Sequence, residues 1–198
     1  MIDTLITKAT GFLTNPVGTF QQSRADEPTA VFTYFGILLL FNAALSAIIT
    51  AVLGFGGMPM FSGMPLGPAF PVMVFFMMLV GGIICTLIFA VWLHLWVYVV
   101  GGRKGIMQTV NAVVYGSTPR LLLGWIPFLG IIFTLWSLVL GVLGIRELQE
   151  ISTGKAILAV AIAIIIPLII VILLAAYLFA SYMTVTALPV TGSTIVSP

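Results

Sequence analysis

From Ala156 to Tyr182 the chain carries no charged side chain, and Ile, Leu, Ala and Val fill most of the stretch. A bilayer's hydrocarbon core is about 30 Å thick, so a helix of about 20 apolar residues crosses it. Several further runs meet the same test, about 29–53, 72–100 and 128–145. They do not alternate polar and apolar residues, as the strands of a membrane barrel do. Composition agrees: 61% of the 198 residues are hydrophobic and 6% are charged, whereas a soluble domain carries about a quarter charged residues. The expected fold class is an all-α membrane protein, a polytopic bundle of five transmembrane helices. Numbered in chain order, helix one is about 29–53 and helix three, about 106–123, is the least apolar.

Before the first run, residues 1–28 form an amphipathic segment. Ile2, Leu5, Ile6, Ala9, Phe12 and Leu13 recur at three/four spacing and give a helix one apolar stripe. That stripe suits the membrane interface or a seat on the protein's own bundle. Asn15-Pro16 should end the helix, because the residue before proline avoids helical angles. Residues 54–71 make a charge-free loop, and the tail 183–198 is also uncharged.

The basic residues set an orientation. Lys8, Arg24, Arg103, Lys104, Arg146 and Lys155 all fall on one side if the chain crosses five times. The positive-inside rule makes that side cytoplasmic. The N-terminus is then inside and the C-terminus outside, in what the resemblance below makes the cell membrane of a prokaryote. No cleavable signal peptide is expected, since Asp3 precedes any basic residue.

Helix three concentrates the chemistry. Gln108, Asn111, Tyr115 and Thr118 share one helical face, opposite Val110, Val113, Val114 and Leu121. Such a stripe should face protein or water, because unpaired polar groups in lipid are costly. It could line a substrate path, or it could bond between helices, with Asn42 on helix one as a partner; the second use is the commoner one. Gly116 and Pro119 should bend or stop the helix, and Pro167 should kink the last one. Arg120 belongs near the outer headgroups, able to snorkel or to hold freed carbonyls.

Other residues point to little chemistry. His94 stands alone, so no metal site is expected. Met58, Met60 and Met64 could offer thioethers to copper(I), but their Gly- and Pro-rich setting suits a loop folded on the bilayer. Cys85 is the single cysteine. Arg146 and Glu150 are spaced for an i,i+4 pair. All five acids, Asp3, Asp26, Glu27, Glu147 and Glu150, flank the apolar runs. Neither a catalytic constellation nor a phosphate-binding loop is visible. The expectation is a non-enzyme without cofactors, and a net charge of +2 gives no reason for nucleic acid.

Three short pieces, in order, resemble the Yip (Ypt/Rab-interacting protein) family in its prokaryotic branch. They are Asn15-Pro16-Val17-Gly18-Thr19-Phe20, then Tyr115-Gly116-Ser117-Thr118-Pro119, then Gly144-Ile145-Arg146-Glu147-Leu148 followed by Ser152 and Lys155-Ala156. The resemblance implies a polytopic protein with a cytoplasmic N-terminus. Eukaryotic relatives are linked to vesicle trafficking and Rab-type GTPases. This chain lacks their long hydrophilic N-terminal region and has Gln149 where many relatives have a histidine, so GTPase binding is not expected. The expected role is a membrane scaffold or membrane-organising component. Its partners would be membrane lipids, other membrane proteins or further copies of itself. The alternative is a small permease or channel using the helix-three stripe.

Overall fold

The computed structural model describes residues 2–53 and 67–187. The methionine-bearing loop and the end of the tail lie outside the described residues. Two units are distinguished, Met1–Val160 and Ala161–Pro198. Among the described residues every regular element is helical: α1 (Ile2–Thr14), α2 (Pro16–Gln22), a 3₁₀ turn (Ser23–Ala25), α3 (Pro28–Leu53), α4 (Phe70–Val99), α5 (Ile106–Gly116), α6 (Thr118–Leu123), α7 (Leu129–Gln149) and α8 (Thr153–Ala187). Four of these, α3, α4, α7 and α8, are long and apolar enough to cross a membrane. The chain is an integral membrane protein of the all-α class.

The third expected span is a broken pair. α5 ends at Gly116, Ser117 intervenes, and α6 begins at Thr118 with Pro119 in its first turn. Proline has no N–H and crowds the carbonyl four residues back. That carbonyl belongs to Tyr115, and Thr118 Oγ1 donates to it at 2.7 Å. Pro167 acts differently. It does not end α8, which continues on both sides of it. In apolar surroundings the remaining backbone groups have no water to turn to, so one lost bond leaves the helix intact.

α5 is the centre of the first unit. It packs against α3, α4 and α7. From Thr109 to Gly116 only Val113 is incompletely buried. Val110 and Val114 are buried too, so the valine face meets neighbouring helices. α7 approaches α5 through glycines. A Cβ on Gly144 would lie 2.8 Å from the Phe20 ring and 3.1 Å from the Ala112 Cα, and one on Gly116 would lie 3.0 Å from the Gly141 backbone. Small residues permit this contact because helix association within lipid depends on close packing.

The N-terminal segment folds onto this bundle. Asn15 caps α2, its side chain accepting the Gly18 N–H at 3.3 Å, and Pro16 opens the helix. Phe12 and Phe20 are fully buried. α7 runs four residues beyond its expected end at Ile145, and its last turn is covered: Leu148 and Gln149 are almost fully buried.

The glycine contacts yield a test. Gly144→Ala should destabilise by about 1–3 kcal/mol, since part of the obstruction is backbone. Gly141→Ala, whose Cβ meets nothing within 4 Å, should be close to neutral. Unfolding of both variants in mixed micelles measures the difference.

Candidate functional site

Tyr115 is buried, and its hydroxyl donates to Asp26 Oδ2 at 2.5 Å. Lys8 reaches the same carboxylate oxygen at 2.5 Å and the Tyr115 hydroxyl at 3.2 Å. Its ammonium also lies 5.0 Å from the Tyr115 ring centroid. Phe12 stacks on that ring with centroids 4.8 Å apart, and Tyr34 meets it edge-on at 5.2 Å. Tyr34 bonds to Thr118 at 2.9 Å. Thr118 gives its own proton to the Tyr115 carbonyl, so Tyr34 is the donor in that pair. The network thereby joins α1, the turn before α3, α3 itself and both halves of the broken helix.

The same face of α5 carries Gln108 and Asn111. Gln108 donates to the Arg24 carbonyl at 3.0 Å, while its Oε1 is buried without a hydrogen-bond partner. Asn111 is 1% exposed, and neither of its amide atoms is bonded. Asn42 does not meet Asn111. It donates to the Leu121 and Arg120 carbonyls of α6 at 3.0 and 3.3 Å. The Arg120 backbone N–H, released by the break, finds Ser137 Oγ on α7 at 3.0 Å. The Arg120 side chain is exposed and belongs to no ion pair among the described residues.

A second polar cluster closes the junction of α4, α5 and α7. Gln149 donates to Gly105 O at 2.9 Å and to Thr109 Oγ1 at 3.0 Å, and accepts the Lys104 backbone N–H at 3.0 Å. His94 Nδ1 lies 2.8 Å from Thr109 Oγ1. Among the described residues no group of His, Cys, Asp and Glu could hold a metal ion.

Charges gather beyond it. Glu150 receives Arg24 at 2.6 Å and also pairs with Lys104. Arg146 bonds to its neighbour Glu147, with their nearest atoms 2.6 Å apart. This corrects the expected Arg146–Glu150 pair. Glu150 has left-handed backbone angles at the end of α7, φ 52° and ψ 44°, which turn it off the helical face. The hydrogen bond from Lys104 holds the Glu150 carboxyl below its usual range, and the charges of Lys104 and Arg24 add to the effect. These pairs place the N-terminal segment, the α4–α5 loop and the end of α7 at one end of the bundle.

Sequence reasoning read Lys8 as a topological marker and Asp26 as an acid flanking the first span, and left Phe12, Phe20 and Tyr34 outside the site. One signal pointed to Asp26. A tyrosine on a polar membrane-helix stripe needs an acceptor, and the chain offers only five acids.

The two kinds of buried polar group predict opposite outcomes. Tyr115→Phe should lower stability by about 1.5–3 kcal/mol, the range for a hydrogen bond to a charged group. Asn111→Leu removes an unbonded amide and should be neutral or stabilising. Thermal unfolding in detergent reads both.

The buried tyrosine, threonine and glutamine bonds join α3, α4, α5, α6 and α7 to one another and to the N-terminal segment. Comparison with curated proteins and with solved structures gives no match. The family model described as the Yip1 domain matches residues 10–175. That span includes the aromatic network, the broken helix and the α7–α8 junction, and the chain belongs to the Yip1 domain family.

Proposed function

We propose that this protein is a non-enzymatic membrane scaffold whose interaction surface is the basic end of its bundle, together with the lipid-facing helices. One observation carries the reading. Tyr115 and Thr118 of the polar stripe, and Thr109 beside it, are each fully buried, and each is hydrogen-bonded to another helix or to the N-terminal segment; Asn111 is buried as deeply without a bond. A permease path along this stripe needs those groups exposed to water or cargo. Their burial favours a structural role.

The basic end faces the cytoplasm in this proposal, with the N-terminus inside and the tail after α8 outside, in a prokaryotic cell membrane. Membership of the Yip1 domain family supports a role in organising other membrane proteins. The exposed side chains of α8 from Leu168 to Ala180 supply lipid contact or a surface for self-association.

Crosslinking in native membranes, followed by mass spectrometry, tests the scaffold role. It should capture membrane-protein neighbours through residues 21–24 and 146–155. Specific solute flux in proteoliposomes, abolished by Asn111→Leu, would instead establish the permease. Orientation has its own test. Cysteines introduced at Arg103 and Lys155 should label only from the cytoplasm, and one at Ser193 only from outside. Labelling of 103 and 155 from opposite sides would defeat the arrangement.

A further inference from the structure

Two grooves flank α1 and share lining residues on it. The first, about 560 Å³, is polar; its lining includes Asp3, Thr7, Asn15, Ser23 and Asp26. The second, about 360 Å³, runs along the start of α3 and is lined by Leu5, Ala30, Thr33, Tyr34 and Ile37. Thr4 and Lys8 line both. The second groove reaches from Thr29 to Ile37, about 12 Å along a membrane-spanning helix at 1.5 Å per residue. A recess lined by polar side chains thus adjoins, at Thr4 and Lys8, a groove that runs along α3 past Leu5, Ala30 and Ile37.

The polar recess holds a specific set of groups. Ser23 is 1% exposed, and its hydroxyl is buried without a hydrogen-bond partner. Lys8 makes two hydrogen bonds, to Asp26 and Tyr115, and an ammonium has three donors. Asp3 and Asp26 supply two negative charges against the one positive charge of Lys8.

We propose that these adjoining grooves together bind one amine-bearing zwitterionic phospholipid of the leaflet at the basic end. Its phosphate takes the third donor of Lys8, its primary ammonium sits between the Asp3 and Asp26 carboxylates, and one acyl chain lies along α3 past Leu5 and Ile37. Charge selects the headgroup. The recess has a net negative charge, which disfavours an anionic lipid. A choline headgroup has no N–H to donate to carboxylates or to Ser23, whereas ethanolamine has three.

The test uses the purified full chain in micelles doped with phosphatidylethanolamine, phosphatidylcholine or phosphatidylglycerol. Native mass spectrometry reads the bound lipid, and thermal unfolding reads stabilisation. Phosphatidylethanolamine should be retained preferentially and should raise the melting temperature. Lys8 also holds the fold, so the informative variants are at exposed positions. Asp3→Asn should weaken phosphatidylethanolamine about tenfold, the effect of losing one charged contact. Thr4→Trp, at the shared point of the grooves, should abolish retention. Both should melt like the parent without added lipid. Equal retention of the three lipids, preference for phosphatidylglycerol, or unchanged binding in both variants would overturn the proposal. Free phosphoethanolamine should not stabilise the protein at concentrations where the lipid does; if it stabilises equally, the acyl-chain groove plays no part.

Discussion

A polar group buried away from water must find a partner within the protein, and in a membrane bundle that requirement decides which segments come together. α5 carries four polar side chains, Gln108, Thr109, Asn111 and Tyr115, and it sits at the centre of the first unit. Tyr115 finds Asp26, Thr118 finds Tyr34, and Thr109 finds Gln149 and His94. Each partner comes from a different part of the chain. Removing the N-terminal segment would take away Lys8 and Asp26 together and leave the Tyr115 hydroxyl without its acceptor, so that segment is structurally part of the membrane domain.

Packing and charge reinforce the same contacts. Phe12 and Phe20 lie 4.8 Å apart, and Phe20 presses on Gly144. Gln21 reaches Glu147 at 2.9 Å, and Arg24 reaches Glu150 at 2.6 Å. The exposed pairs are individually weak. Their shared placement nevertheless fixes α2 against the end of α7, where the aromatic side chains exclude solvent. The glycine at 144 is thus the condition for Phe20 to sit where it does.

The apolar runs were legible because lipid imposes length and composition directly on the sequence. α3, α4, α7 and α8 follow from that constraint alone. Family membership was also legible, through three short pieces in order. The partners of α5 were less so. Asp26 precedes α3 and reads as a helix-end acid, and nothing in its neighbours reveals a tyrosine 89 positions away. Glu150 was misassigned because spacing along a helix assumes that the helix continues, whereas its backbone turns left-handed there. Asn42 bonds to carbonyls in the last turn of α6, which are available because that helix ends at Leu123. Side-chain spacing cannot show carbonyls left open by a helix end.

The central claim is that Tyr115 and Asp26 act as a pair that locks the N-terminal segment to the core. A double-mutant cycle measures this most directly, comparing Tyr115→Phe, Asp26→Asn and the combined variant by reversible unfolding in mixed micelles. The account predicts a coupling energy of about 1 kcal/mol or more, as found for contacting residues in one buried network. Effects that simply add, to within about 0.3–0.5 kcal/mol, would contradict it and leave the segment held by aromatic packing alone.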